Sequence, residues 1–341
     1  MMRLSGYIIL LSAHIEAGTP LEYSIAFTGG YDNNVMRFSN EELDRAAINP
    51  FLMGGSKTFD SFVSKMNVSA KKSLFNFHKK SVIANLTYTF SDYTHTPEKK
   101  YWSGGVDMAY KWGAYKNLKY SVRHLNNFYL RHYINRDIST TQFEPCLFTD
   151  RNQSLQLTQK IMKRLWINIG GGYLQRYYKK PFAEFDLDIT YVKSRLNYKM
   201  QNFGTIGVQV NKGRALSKSH HLPDRPSSFN RSYQTTEWYL PLRVNKKLPL
   251  LNEIGFSTRI ENRQYDTENP DDPLHSGRSQ IDSKFDIWVK KKLGDSVGLV
   301  ISSRYRVRST KSDYNWVNDL KSFKQLQYWI KIEWDLVYDR Y

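Results

Sequence analysis

The sequence predicts an all-β fold, a transmembrane antiparallel up-and-down β-barrel of about 14 strands (range roughly 12–16). Three observations predict it. Apolar residues alternate with polar ones at a period of two along most of the chain, and long and short connections alternate between the predicted strands. The mean hydropathy is −0.60. No apolar run approaches the length of about 18 residues that a membrane-spanning helix needs, so helical spans are excluded.

Composition narrows the class of protein further. The 341 residues include 15% aromatic side chains, far more than a disordered basic chain carries. Lysine and arginine number 50 against 32 acidic residues, which gives a formal net charge of +18. Such a charge favours an anionic partner, whether a nucleic acid, a lipid headgroup layer or an acidic ligand.

The N-terminus has the pattern of a secretory signal peptide. Arg3 precedes a short apolar stretch at 4–12, and small residues allow cleavage after Ala17 or Ala13. The alternative is a buried strand at the start of a cytosolic domain. We therefore predict a signal peptide at 1–17 and a barrel at 18–341. The single cysteine, Cys146, lies in 143–148, which is interpreted as the edge of a loop.

Fourteen segments carry the alternating pattern. In the last one, residues 326–338, seven apolar residues occupy alternate positions and end at Trp334, Leu336 and Tyr338. The other thirteen apolar rows begin at Leu21, Phe62, Val82, Trp102, Leu118, Leu155, Leu165, Phe185, Ile206, Trp238, Ile254, Ile281 and Val297. The phase slips at 124–128, which predicts a β-bulge.

The connections alternate in length. Short or basic turns are predicted at 113–117, 160–164, 201–204, 245–252 and 290–295, and long polar loops at 33–56, 134–144, 213–231, 266–278 and 309–322. Long and short connections therefore fall at opposite ends of the strands, as in outer-membrane barrels. A β-sandwich or a soluble β-helix also shows alternation but does not predict this rhythm. Closure also leaves no unpaired strand edge in lipid.

With its signal peptide, repeated strands and aromatic-rich last strand, the chain resembles bacterial outer-membrane β-barrel proteins. Segments 30–35 and 271–278 resemble stretches of uncharacterised barrels from Gram-negative bacteria. The resemblance implies a place in the bacterial outer membrane and recognition of the last strand by the barrel assembly machinery. Tyr341 departs from the pattern, because it is out of phase with the row that ends at Tyr338. The resemblance implies no activity.

The polar faces of the later strands supply the candidate functional residues. Inside a barrel these side chains would face the lumen: Arg259, Arg263, Arg304, Arg306, Lys284, Glu261, Asp282, Asp286 and Glu333. Rings of charge select solutes in pores, whereas paired charges fill a lumen. We predict a non-enzymatic pore or channel for small polar or anionic solutes. The alternative is a plugged structural barrel that presents external loops to glycans or a partner.

The basic residues also suggest contacts with lipid. Lysines at 71–72, 79–80 and 290–292 are predicted at the short-turn rim, where they would meet outer-membrane lipids, including anionic headgroups. A nucleic-acid partner is not predicted, because the aromatic residues alternate onto the apolar face instead of lying among the basic ones. The oligomeric state is left open.

A third hypothesis is a membrane-embedded lipid hydrolase that uses His275 or His220. A nucleophile needs a base within hydrogen-bonding reach, and no nucleophile motif accompanies either histidine, so no catalytic residue is predicted. The rings of His220 and His221 are expected to diverge on an extended chain, and neither a metal site nor a cofactor is predicted.

Overall fold

The fold was analysed in a computed structural model, which describes residues 19–338 except 219, 224, 227 and 246–249. The predicted signal peptide and Tyr341 lie outside the described residues. The strands are β1 (Leu21–Asp32), β2 (Ser61–Phe77), β3 (Lys80–Tyr93), β4 (Tyr101–Gly113), β5 (Lys116–Ile134), β6 (Phe143–Met162), β7 (Leu165–Tyr178), β8 (Leu187–Met200), β9 (Gly204–Ser217), β10 (Tyr233–Val244), β11 (Glu253–Tyr265), β12 (Ser279–Lys292), β13 (Val297–Lys311) and β14 (Phe323–Tyr338).

These strands form one closed antiparallel barrel in which each strand pairs with its neighbours in sequence. Strand β1 pairs with both β2 and β14, and the closing register runs from Leu21 opposite Tyr338 to Asp32 opposite Gln327. The predicted fold class and the count of 14 strands are confirmed.

Two helices lie in the long connections. Helix α1 (Asn40–Ile48) follows β1, and α2 (Asn315–Lys321) precedes β14. A capping box begins α1, since the Ser39 hydroxyl accepts a hydrogen bond from the Glu42 amide and the Glu42 carboxylate accepts one from the Ser39 amide. Among the described residues, no helix is long and apolar enough to cross a lipid bilayer.

The connections have the predicted asymmetry. We call the end with the longer connections the loop end; its loops are L1 (33–60), L2 (94–100), L3 (135–142), L4 (179–186), L5 (218–232), L6 (266–278) and L7 (312–322). The opposite end, called the turn end, carries the shorter turns and both described termini.

The two faces of the sheet differ as the alternation predicts. On β14, Tyr328, Ile330 and Leu336 point outward and remain more than a third exposed, whereas Gln325 is almost fully buried on the inner side. A row of exposed apolar side chains around a closed barrel is the surface that lipid hydrocarbon covers.

The sixth and eighth strands depart from the sequence-based interpretation. Cys146 is not at the edge of a loop but inside β6, where it is fully buried. The β5–β6 pair contains two register shifts, at Leu125/Phe128 and Tyr129/Arg131, which interrupt the period of two. The first shift is the predicted bulge. On β8, Leu187 lines the interior with Ala215 and Tyr233 instead of facing lipid.

Candidate functional site: the barrel lumen

Loop L1 enters the barrel instead of standing above it. Val35 is 1% exposed and packs against Val63 and Tyr93 from the barrel wall, with Trp329 beside them. The Asn34 side chain ties the loop to itself and to the wall, because its amide nitrogen donates to the carbonyl oxygens of Phe38 (2.8 Å) and Lys324 (3.0 Å). The loop therefore narrows the lumen.

Two cationic side chains, one from L2 and one from β5, hold L1 by its backbone. Lys99 Nζ donates to the Val35 carbonyl oxygen at 2.7 Å. Arg131 Nη2 donates to the carbonyl oxygens of Met36 (2.9 Å) and Arg37 (2.8 Å). A carbonyl oxygen carries no net charge, so Lys99, which forms no ion pair within the described residues, both fixes the loop and adds positive charge to the narrowed lumen. The charge of Arg131 is instead paired with Glu42 at 2.5 Å.

Two chambers of the narrowed lumen are lined by the described residues, beside a smaller cavity of about 110 Å³ next to L1. The upper chamber, towards the loop end, has a volume of about 590 Å³, and the lower chamber has a volume of about 420 Å³. Arg37, Lys284 and Arg306 line both of them. We call these three residues the junction.

Positive charge dominates both chambers. Twelve arginine and lysine side chains and four carboxylates line the upper chamber. Seven arginine and lysine side chains and two carboxylates line the lower chamber. Inside low-dielectric walls such an excess produces a strong positive potential.

Eight of the nine predicted lumen residues form ion pairs, some with the neighbouring strand and others within one strand or one strand further away. Arg306 and Arg308 share Asp282, with nitrogen–oxygen distances of 2.5 and 2.7 Å, and Arg304 contacts Asp286 at 2.6 Å. The remaining contacts are Arg263–Glu261 (2.7 Å), Arg259–Glu237 (3.7 Å), Lys290–Glu333 (2.5 Å) and Lys331–Glu333 (2.6 Å). The predicted residues thus lie together on the lumen wall, and Arg304 and Arg306 are both paired.

The exception is Lys284, which forms no ion pair within the described residues. It lies between Arg259 and Arg306 in the sheet register, so cations flank it on both neighbouring strands. Because it also lines both chambers, Lys284 is the predicted candidate with the most direct access to a passing anion.

The alternating pattern does not reveal the cations that the loops contribute. Arg37 in L1, Lys99 in L2 and Lys321 in α2 all lie against the lumen. Burial, reinforced by the nearby guanidinium of Arg306, lowers the pKa of Arg37 to about 9. Burial and Arg37 lower the pKa of Lys99 to about 7, and burial lowers the pKa of Lys321 to about 8. One signal was present in the sequence: the apolar residues Val35, Met36 and Phe38 inside an otherwise polar loop.

The two groups of histidines, His275 in L6 and the pair His220 and His221 in L5, differ in their contacts. His275 Nδ1 lies 2.8 Å from Asp272 in L6, and burial lowers the pKa of this histidine to about 4. Within the described part of the chain, no serine or cysteine side chain is hydrogen-bonded to the His275 ring. The His220 and His221 rings do not diverge as expected but meet edge to face at 5.0 Å, because His221 has a left-handed φ of 56°. The described residues contain no cluster of three side chains suited to a metal ion.

The fold and this interior define a 14-stranded transmembrane barrel with a cationic lumen narrowed by an inserted loop. No family model and no curated protein sequence matches the chain. Solved barrels resemble it at low identity. A loop-deletion mutant of OmpT, an outer membrane protein of Vibrio cholerae, has a TM-score of 0.48 at 8% identity and covers 94% of this chain and 100% of that chain.

Two further solved structures have lower scores. OccAB3 of Acinetobacter baumannii has a TM-score of 0.44 at 7% identity, with 94% of this chain and 99% of that chain covered. OprD of Pseudomonas aeruginosa has a TM-score of 0.41 at 9% identity, with 95% and 97% covered. Function is therefore argued from the residues of this chain.

Proposed function

We propose that this protein is an outer-membrane channel for small anionic solutes. The observation that carries the proposal is the excess of arginine and lysine over carboxylate side chains in the lining of both chambers. Arg263, Arg278 and Arg308 line the upper chamber, the junction joins the two chambers, and Lys65, Arg304 and Lys331 continue along the lower chamber. Charged linings of this kind select ions by sign.

The ion pairs refine this mechanism. Pairing fixes Arg306 and Arg304 against the wall, so a solute meets oriented guanidinium groups instead of long mobile side chains. Lys284 and Arg37, which form no ion pair with any described residue, supply net positive charge where the chambers meet. An anion would exchange water for these donors at several successive positions along the lumen. Its binding at each position would be weak enough to allow release.

The outer surface supports the proposed location. Apolar side chains cover the outward face, and lysines at 71–72, 79–80 and 290–292 lie at the turn end. In this proposal the turn end is periplasmic, and its lysines other than Lys290, which pairs with Glu333 inside the lumen, contact anionic headgroups. The outward row ending at Trp334, Leu336 and Tyr338 is presented to the barrel assembly machinery. The predicted signal peptide at 1–17 would export the chain.

Planar-bilayer recordings test the channel. Purified barrel in a tenfold potassium chloride gradient should show discrete conductance steps and a reversal potential of anion-selective sign. Lys284→Gln should reduce the selectivity, whereas Lys79→Gln, in the turn between β2 and β3, should not. Cation selectivity, or the absence of any conductance from folded barrel, would overturn the proposal.

A plugged interaction barrel is the second candidate, and the fixed position of L1 favours it. The loop is held by Lys99, Arg131 and Asn34, and Asp32 additionally accepts hydrogen bonds from Gln325 and Gln327. This candidate expects a closed lumen and binding of a glycan or protein through the predicted external loop 213–231. A glycan array probed with folded protein, alongside the conductance measurement, separates the two functions.

A further inference from the structure

The two walls of the upper chamber differ in chemistry. Tyr133 of β5, Tyr178 of β7 and Phe185 of L4 line one side, and their rings lie 5.5–6.1 Å apart in edge-to-face contact. Arg263, Arg278 and Arg308 line the side formed by β11 to β13. In a closed barrel of 14 strands, β5 and β12 are seven strands apart, so the two walls face each other across the lumen.

Three arginines of the aromatic wall have carboxylate partners. Arg131 contacts Glu42 at 2.5 Å, and Arg176 holds Asp150 through two hydrogen bonds of 2.8 Å. Arg225 contacts Glu184 at 2.8 Å. Arg231 is the exception: its guanidinium lies over the Phe185 ring at 3.2 Å, and it forms no ion pair within the described residues. The aromatic rings, with Arg231 beside them, therefore determine what this wall offers to a ligand.

The opposite wall keeps an excess of positive charge. Glu261 pairs with Arg263, and Asp282 is shared by Arg306 and Arg308. Arg278 and Lys321 form no ion pair within the described residues. Arg278 is 6% exposed, its guanidinium lies over the Tyr265 ring at 3.9 Å, and its Nε has no hydrogen-bond partner in the described structure. A buried donor without a partner is costly unless a ligand satisfies it.

From these opposed walls we infer that the upper chamber is a binding site for an aryl carboxylate, whose ring lies against Phe185 and Tyr133 while its carboxylate meets Arg278. The inference rests on the proposed channel and narrows its substrate class. The chamber, with a volume of about 590 Å³, is within the usual range of small-molecule sites. Aromatic rings prefer edge-to-face or offset packing, and guanidinium groups bind carboxylates through two parallel hydrogen bonds.

Isothermal titration of detergent-purified full-length barrel tests the inference with three matched probes. Phenylacetate should bind about fivefold more tightly than cyclohexylacetate, because only the aromatic ring can make edge-to-face contacts with the wall. The saturated ring is larger and more apolar, so burial of apolar surface alone would favour cyclohexylacetate instead. Phenethylamine, with the opposite charge, should not bind detectably.

Substitutions test the contribution of each wall to binding separately. Phe185→Leu, or Tyr133→Leu if that variant fails to fold, should abolish the preference for phenylacetate. Arg278→Gln should weaken both carboxylates about tenfold and leave their ratio unchanged. Phe203→Leu in a turn and Arg195→Gln on β8 lie outside both chambers and should leave both affinities unchanged.

The outcomes distinguish this inference from the proposed function. Equal affinities for the two carboxylates, or tighter binding of cyclohexylacetate, would overturn the aryl site even if anion-selective conductance is observed. Selective binding of phenylacetate without conductance would support the site and overturn the channel.

Discussion

Arg306 donates two hydrogen bonds to Asp282 across the β12–β13 pair, from Nε to Oδ1 at 2.8 Å and from Nη2 to Oδ2 at 2.5 Å. The two side chains are 9% and 3% exposed. Arg308 donates to the same carboxylate at 2.7 Å. One buried carboxylate thus holds two guanidinium groups beside the junction, which makes Asp282 important for both stability and charge.

Asp282→Asn should destabilise the barrel. The amide keeps the shape of the carboxylate but leaves the buried guanidinium of Arg306 and the half-buried one of Arg308 without a counter-charge, so the free energy of unfolding should fall by about 3 kcal/mol. Urea unfolding in lipid vesicles, followed by tryptophan fluorescence, measures this change. Asp295→Asn in the exposed turn after β12 is the control, and equal stability of the two variants would contradict the prediction.

Arg37→Gln should make the channel less selective for anions. Arg37 lines both chambers and forms no ion pair within the described residues, so its removal takes net charge from the junction. The anion-to-cation permeability ratio from reversal potentials should fall about threefold, equivalent to roughly 0.7 kcal/mol. Arg45→Gln, on the exposed face of α1 in the same loop, should leave the ratio unchanged.

Anion selectivity should decrease as the pH rises through 7. Burial is the main cause that lowers the pKa of Lys99 to about 7; the charges of Arg37, Arg131 and Arg306 act in the same direction, and Asp32 opposes them. Lys99 is therefore cationic below this pH and neutral above it. Reversal potentials measured between pH 6 and 7.5 should show the loss, and Lys99→Met should show a constant low selectivity. If the Lys99→Met variant loses as much anion selectivity between pH 6 and 7.5 as the wild type does, the titrating group is not Lys99.

The sequence predicted the barrel because its pattern is local. Alternation reports which face each side chain occupies, and the rhythm of the connections reports which strand ends meet, so the lumen positions of Arg259, Lys284 and Arg306 followed directly. Pairing also follows from register, although Arg306 finds Asp282 diagonally and not in the directly opposite position.

The missed part of the site depends on contacts between distant segments. Arg37 approaches the lumen only because L1 folds inward onto Val63 and Tyr93, and the period of two says nothing about where a loop goes. Phe185 was assigned to a strand face, but it lies in the 3-10 turn Ala183–Phe185 of L4. A short apolar run cannot by itself distinguish a strand end from a loop that packs into the lumen.

Arg131→Gln should release L1 and distinguish an open channel from a plugged barrel. Arg131 donates to the carbonyl oxygens of Met36 and Arg37 and contacts Glu42 at 2.5 Å, so it joins the loop backbone, helix α1 and strand β5. Glutamine is too short and has too few donors to replace these contacts. Hydrogen exchange should therefore accelerate at the amides of 35–38, because the loop loses an anchor that only the folded arrangement provides.

Conductance of the same variant separates the two functions. If L1 only narrows an open lumen, the unit conductance should rise about twofold over a measurable wild-type value, because resistance is concentrated at the constriction. If L1 closes the lumen, wild-type protein should be silent and Arg131→Gln should conduct. Arg136→Gln in L3, which has no hydrogen bond to L1 within the described residues, controls for the loss of one positive charge. Unchanged exchange at 35–38 and unchanged conductance in Arg131→Gln would show that Lys99 and Asn34 hold the loop without Arg131.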